Sequence, residues 1–395
     1  MPRAAVPPAA RRVAGMGETI FAEMSALAAR TGAVNLGQGF PDTDGPPQVI
    51  DAAVAALRGG ANQYAPGPGI PALRRAIARH QQRRYGLDLD PDREVVVTTG
   101  CTEAIAGALL GLVDPGDEVV VLEPYYDSYT AMIEFAGGVR RPVTLRAPDF
   151  RLDPAELEAA VSARTKLVLL NTPHNPTGRV LDADELAAVA RVAQQHDLLV
   201  VTDEVYEHLT FDGRQHVPVA TLPGMAERTL TLSSAGKSWS VTGWKVGWAT
   251  GPAELVAAVT GAKQWLTFTS GAPLQPAVAA ALDAGDGFPA ALARDLEAQR
   301  DQLVDGLRAA GLTTYVPEGT YFATTDVSAR GWASGGDFCR ALPERAGVVA
   351  IPAEVFYDDP DAPGAGRHLV RWAFCKRPEV IGEAVRRLGA ADLTA

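Results

Sequence analysis

The chain has 395 residues, 47% of them hydrophobic, which is enough for a large core and suggests one large domain plus a smaller one. Its formal net charge is −11 with no Lys/Arg block, which argues against nucleic acid or anionic membrane as a partner, and no apolar run is long enough to span a bilayer. The three cysteines, Cys101, Cys339 and Cys375, are too few and too scattered for a disulfide framework or a zinc site.

Residues 1–12 contain Pro2, Pro7 and Pro8 without a long apolar stretch, and are expected to form a loose arm rather than a signal peptide, so a cytoplasmic location is expected. The first clear strand pattern covers residues 94–98. It leads through Thr99-Gly100-Cys101-Thr102-Glu103 into a helix over 103–112 that stops at Asp114-Pro115-Gly116. This turn is either an ordinary N-cap or an anion site, with Gly100 permitting close backbone approach and the Thr102 hydroxyl adding a donor. Further strands are expected at 118–122, 166–170, 197–202 and 228–232, with a helix at 184–195. Strands alternating with helices predict an α/β fold around a largely parallel sheet, whose ligand sits at the carboxyl ends of the strands.

Most of the unusual clusters fall there. Asn171-Thr172-Pro173-His174-Asn175-Pro176-Thr177-Gly178 is a turn dense in restricted residues, read as a functional loop rather than a plain connector. Asp203, after the next strand, either caps a helix or pairs with a buried cationic ring nitrogen, with Tyr206 on the same side if a helical turn begins there. Lys237 stands in the small-residue loop Ser233-Ser234-Ala235-Gly236-Lys237-Ser238, where a planar cofactor could reach its amine, and Lys245 offers a second positive charge nearby. After about residue 285 the texture changes to an amphipathic helix over 290–307, short segments and a final helix over 378–388. Arg371 interrupts the apolar run Leu369-Val370-Arg371-Trp372-Ala373-Phe374. It is either a structural ion pair or a bidentate binder of a carboxylate.

Taken together and in this order, the clusters resemble the class I aminotransferases of pyridoxal-phosphate fold type I. Gly37-Gln38-Gly39-Phe40-Pro41, Tyr64-Ala65-Pro66-Gly67-Pro68-Gly69 and Gly243-Trp244-Lys245-Val246-Gly247-Trp248 add to the likeness, which runs from about Asn35 to Phe374. The resemblance implies a large domain at 41–285 with a mostly parallel sheet flanked by helices. A smaller α+β domain at 286–395 would be completed by part of an N-terminal arm at 1–40. It implies pyridoxal 5′-phosphate as cofactor, with Lys237 as its Schiff-base lysine and proton-transfer base, and Asp203 keeping the ring nitrogen protonated. Tyr206 and Asn175 would bond the phenolic oxygen, and Tyr126 (or Tyr125) would stack on the ring. Gly100, Cys101, Thr102, Ser234 and Lys245 would cradle the phosphate. Tyr64 would reach the phosphate of a partner subunit in a homodimer with shared active sites. Arg371, with Asn175 and the backbone at Gly39, would bind the α-carboxylate of amino acid and 2-oxo acid substrates. Lys245 stands where many members have arginine, and Cys101 where alanine, serine or tyrosine is common.

Phe21-Ala22-Glu23-Met24, Glu204-Val205-Tyr206-Glu207-His208-Leu209 and Phe374-Cys375-Lys376-Arg377 resemble kynurenine- and methionine-type aminotransferases and actinobacterial N-succinyldiaminopimelate aminotransferases. The implied activity is ping-pong transamination. The alternative is a carbon–sulfur β-lyase, which would use the same residues and release pyruvate from a cysteine conjugate. An aminotransferase-like ligand sensor of a transcription regulator would need a DNA-binding module, and none is expected here. Phe40, Trp265, Phe268, Tyr321 and Phe356 are the expected lining of the side-chain pocket.

Overall fold

Runs of β-branched and leucine residues, buried on both faces, build the central sheet. A computed structural model places residues 10–13 and 16–395, so the arm expected over residues 1–12 lies mostly outside the described residues. Helix α1 (Ile20–Thr31) and strand β1 (Val34–Asn35) come first, followed by helices α2 (Pro47–Arg58) and α3 (Pro71–Tyr85). Next come β2 (Val95–Thr99), α4 (Gly100–Leu112), β3 (Glu118–Glu123), α5 (Asp127–Ala136) and β4 (Val139–Thr144). The middle of the chain supplies α6 (Pro154–Ala159), β5 (Thr165–Asn171), α7 (Ala183–Gln195), β6 (Leu199–Asp203) and β7 (Thr229–Ser234). The short helix α8 (Ala235–Ser238), β8 (Val246–Thr250), α9 (Ala253–Lys263) and α10 (Gln275–Asp283) follow. The last part holds α11 (Gly287–Ala309), β9 (Thr313–Tyr315), β10 (Phe322–Asp326), α12 (Gly335–Ala346), β11 (Val348–Val349), β12 (Ile351–Pro352), β13 (Leu369–Ala373) and α13 (Pro378–Ala390).

Seven strands form one sheet in the order β2-β8-β7-β6-β5-β3-β4. All neighbours are parallel except at β8, which runs antiparallel to both β2 and β7. The carboxyl ends of β2, β3, β5, β6 and β7 therefore share one edge of the sheet. Because β8 is reversed, its amino end lies at that same edge, and Lys245 arrives beside Gly100 and Ser234. A four-stranded sheet, β12-β13-β10-β9, is antiparallel throughout, and the chain's start joins it indirectly through the parallel pair β1–β11.

Local chemistry explains several boundaries. Helix α7 begins with a capping box in which Asp182 and Glu185 satisfy each other's backbone N–H groups. The helix expected at 103–112 starts earlier, at Gly100. Two strands of the central sheet were not visible in the sequence pattern. Strand β4 carries Arg140, Arg141 and Pro142 because it is the sheet's edge and pairs only with β3. Strand β8 (VGWAT) is short and contains Gly247, whose missing side chain lets the Gly100 backbone approach: a Cβ there would lie 2.6 Å from the Gly100 carbonyl carbon.

Candidate active site

Five loops end at the shared sheet edge and line one cavity of about 440 Å³. Its wall includes Gly39, Gly100, Cys101, Thr102, Tyr126, Asn175, Asp203, Tyr206, Ser234, Lys237, Lys245 and Arg371, the candidates for cofactor and α-carboxylate binding with the single exception of Tyr64. Tyr64 is 85% exposed and packs edge-on against Phe268, outside this chain's cavity. Of the two adjacent tyrosines, Tyr126 faces the cavity. Tyr125 turns away, its hydroxyl on Asp358.

On the floor, Asp203 ends β6 fully buried. Its carboxylate accepts from the Tyr129 hydroxyl at 2.7 Å, from the Val205 N–H at 3.2 Å and from the Cys101 thiol at 3.5 Å. Burial raises its pKa against the pull of those donors, and it forms no salt bridge among the described residues. It does not cap a regular helix, since the residues after it form turns. Asn171 anchors the neighbouring loop: its amide donates to the Asp203 carbonyl at 2.7 Å and its side-chain oxygen accepts the Asn175 N–H at 2.7 Å.

Lys237 lies in α8, which is buried where β7 turns back into the cavity. Burial lowers its amine to about 8; Cys375 and Asp203 pull it upward, while Lys245 and Arg371 push it down. The amine donates to the Tyr321 hydroxyl at 2.7 Å, and that hydroxyl donates to the Gly39 carbonyl at 2.5 Å. Lys245, whose backbone is left-handed (φ 53°), reaches the Thr102 hydroxyl at 3.4 Å. Gly100 (φ +69°) leaves the room this requires, because a Cβ there would lie 3.3 Å from the Lys245 amine.

Across the cavity, Arg371 on β13 is 2% exposed. It donates to Asn175 Oδ1 and to the Gly37 carbonyl, each at 3.1 Å, and its Nε has no partner. Its guanidinium carbon lies 4.1 Å from the centre of the Phe322 ring and 5.1 Å from those of Phe21 and Phe356. It forms no salt bridge among the described residues, and burial lowers its pKa to about 10. An arginine kept beside aromatic rings and carbonyls, with one N–H unsatisfied, has a place for an incoming carboxylate.

Several residues sit differently from the sequence expectation. Phe40 is half exposed over the Lys376 amine, Trp265 is 84% exposed and Phe268 packs on Tyr64, so none of the three lines the cavity. Phe356 and Tyr321 are buried behind it, against Arg371 and Lys237. Loop residues of this kind are placed by long-range packing, which leaves no local pattern. Asn171 was read only as part of its functional turn, and Tyr129, Phe21 and Phe322 carried no signal of their own as site residues; the nearest was Tyr129, one helical turn beyond Tyr126.

A partly buried lysine of lowered pKa, a buried carboxylate without a cation and a buried arginine without an anion, all on one cavity, define a site for an anionic substrate and a cationic ring. The family profile described as "Aminotransferase class I and II" matches residues 31–388. The chain is 54% identical, over 94% of its length and 95% of the other's, to a protein named probable N-succinyldiaminopimelate aminotransferase DapC from Mycobacterium tuberculosis. It is 41% identical to the methionine aminotransferase of Escherichia coli, over 94% and 96% of the two chains. The solved structure of N-succinyldiaminopimelate aminotransferase from Mycobacterium tuberculosis superposes with a TM-score of 0.93 at 53% identity, covering 96% of this chain and 99% of that one. The chain belongs to the class I and II aminotransferases. It has their pyridoxal-phosphate fold type I and is a pyridoxal-phosphate-dependent transferase acting on amino acids and 2-oxo acids.

Proposed function

We propose that Lys237, Asp203 and Arg371 are the working groups of this aminotransferase, and that its amino donor carries a long side chain, with N-succinyldiaminopimelate the first candidate. The observation that carries the site reading is the pair of opposite buried charges, Asp203 and Arg371, each without a salt-bridge partner among the described residues, both lining the cavity of Lys237 and both acting on its amine. The 54% identity to the Mycobacterium tuberculosis relative supports the substrate, and methionine and kynurenine are the next candidates on the same grounds.

Pyridoxal phosphate, when bound, supplies an aldehyde that condenses with amines and a pyridinium ring that accepts electron density from the substrate Cα. The residues fit it: Asp203 would hold the proton on the ring nitrogen, its position fixed by Tyr129, Val205 and Cys101. Tyr206 and Asn175 would donate to the phenolic oxygen, and Tyr126 would cover the ring face. Gly100, Cys101, Thr102, Ser234 and Lys245 would hold the phosphate. Arg371 would take the α-carboxylate in a two-pronged bond, with Asn175 orienting its guanidinium. That would turn the substrate Cα–H toward Lys237, whose amine at about 8 is suited to take up and return a proton near neutral pH.

The same reading makes the enzyme a cytoplasmic homodimer. Tyr64 (85% exposed), Trp265 (84%), Leu266 and Phe268 are large apolar side chains left open to solvent, which supports coverage by a second subunit whose phosphate Tyr64 would reach. The division into 1–40, 41–285 and 286–395 belongs to this reading too, supported by the β1–β11 pairing. A panel of amino donors, with 2-oxoglutarate and pyruvate as acceptors, tests the substrate. N-succinyldiaminopimelate should give the highest kcat/KM, and a preference for methionine or kynurenine over it would reassign the donor.

A further inference from the structure

We propose that Tyr321 is a catalytic group of this enzyme: its phenol oxygen captures and orients the side-chain amine of Lys237 whenever that amine is free. The inference rests on reading Lys237 as the Schiff-base lysine.

The geometry fixes the role of each atom. A phenol has a single proton, and that of Tyr321 is committed to the Gly39 carbonyl at 2.5 Å. Its oxygen therefore presents only lone pairs to the Lys237 amine, 2.7 Å away. The ring cannot swing out, because it is 1% exposed and wedged edge-on against Tyr206 at 5.2 Å and Phe322 at 4.8 Å. Burial pushes the phenol well above its ordinary range, so it keeps its proton and acts as an acceptor rather than as a base. Three remote segments meet at this one oxygen: Gly39 after β1, Lys237 in α8 and Tyr321 before β10. Gly39 and Phe322 also line the cavity around Arg371, so the acceptor is tied to the wall expected to receive the carboxylate.

Two consequences follow. First, an amine released from the cofactor is caught in one orientation instead of rotating through its rotamers, so a proton leaving the substrate Cα has a positioned acceptor. Second, an oxygen lone pair stabilises an ammonium more than an amine, so Tyr321 raises the proton affinity of Lys237 against burial. The charged and titratable groups facing that amine are Asp203 and Cys375, which raise it, Lys245 and Arg371, which lower it, and Tyr206, whose ring centre lies 5.9 Å away.

The test uses full-length Tyr321→Phe, which removes one oxygen. The protein is stripped of cofactor and recombined with pyridoxal phosphate across pH, following the rate at which the Schiff-base absorbance appears. This reaction needs the neutral amine, so its midpoint reports Lys237. Wild-type enzyme should show a midpoint near 8. The variant should shift about one pH unit lower and lose about tenfold in kcat, the scale of one hydrogen bond, with KM little changed for small and bulky donors alike. An unchanged midpoint overturns the proposal, and so does a loss confined to the KM of bulky donors, which would make Tyr321 a pocket wall. Borohydride labelling of the variant separates the two layers of the argument. A label on Lys237 keeps the site reading whatever the midpoint does, and a label on another lysine overturns that reading itself. If Tyr321→Phe does not fold, Tyr321→Met also lacks the hydroxyl and must show the same downward shift.

Discussion

Replacing Arg371 by methionine should weaken substrate binding severely while leaving the fold about as stable as before. Burial lowers Arg371 from the ordinary arginine range to about 10, so its charge costs the fold roughly 3 kcal/mol at about 1.4 kcal/mol per pH unit. Against this stand its hydrogen bonds to Asn175 and Gly37, about 1 kcal/mol each, and its packing on Phe322. Methionine keeps much of the volume, and the balance falls within roughly 1 kcal/mol of zero. Substrate binding has no such offset. Losing one partner of a buried, hydrogen-bonded charge pair costs roughly 2–5 kcal/mol, or about thirtyfold to several thousandfold in affinity. The loss should be uniform across amino acids and 2-oxo acids, because all share the α-carboxylate, and Arg371→Lys should recover only part of it. The assay is rapid-mixing kinetics of each half-reaction over several donors and acceptors, with a melting temperature measured on the same preparation. A clear fall in melting temperature with unchanged substrate affinity would refute the reasoning and make Arg371 a structural cation.

Lys237→Ala should abolish transamination and the Schiff-base absorbance while leaving non-covalent cofactor binding; in wild-type enzyme, a borohydride-fixed label on Lys245 would overturn the assignment. Asp203→Asn should keep the fold and cut turnover by about 10²–10³-fold, the scale of losing one preorganised electrostatic contact, and Tyr129→Phe should cost less because the carboxylate remains. Near-wild-type turnover in Asp203→Asn would reduce that residue to a structural role. Acid stability tests the buried loop histidine, which burial lowers from 6.5 to about 3. The unfolded chain binds a proton below pH 6.5 that the folded chain refuses until about pH 3, so stability is lost as pH falls through that window, by about 2 kcal/mol at pH 5. Urea unfolding of wild type and His174→Gln at pH 7 and 5 measures this: wild type should lose about 2 kcal/mol more than the variant, and equal losses would refute it.

The sequence alone determined which short runs become strands and which residues follow them. β-Branched runs ending in Thr99, Asn171, Asp203 and Ser234 alternate with helix patterns, and alternation of that kind forces parallel strands with their carboxyl ends on one edge. Gly100, Asn175, Asp203 and Lys237 were therefore legible as neighbours before any coordinates. Tertiary structure alone decided three things. The reversal of β8 brings Lys245 to the edge by its amino end, and nothing in Val246-Gly247-Trp248 announces a direction. The surroundings of Arg371, with aromatic rings and carbonyls but no salt bridge among the described residues, came from α1, β10 and the loop after β12. Pattern had left ligand and salt bridge as equal readings. The Tyr321 oxygen lies between Gly39, 282 residues away in sequence, and Lys237, 84 residues away. Periodicity reports only which face of its own element a side chain occupies. Contacts between loops so distant in the chain are set when separate layers pack together, so the hydrogen-bond partner of the Lys237 amine became readable only in the folded protein.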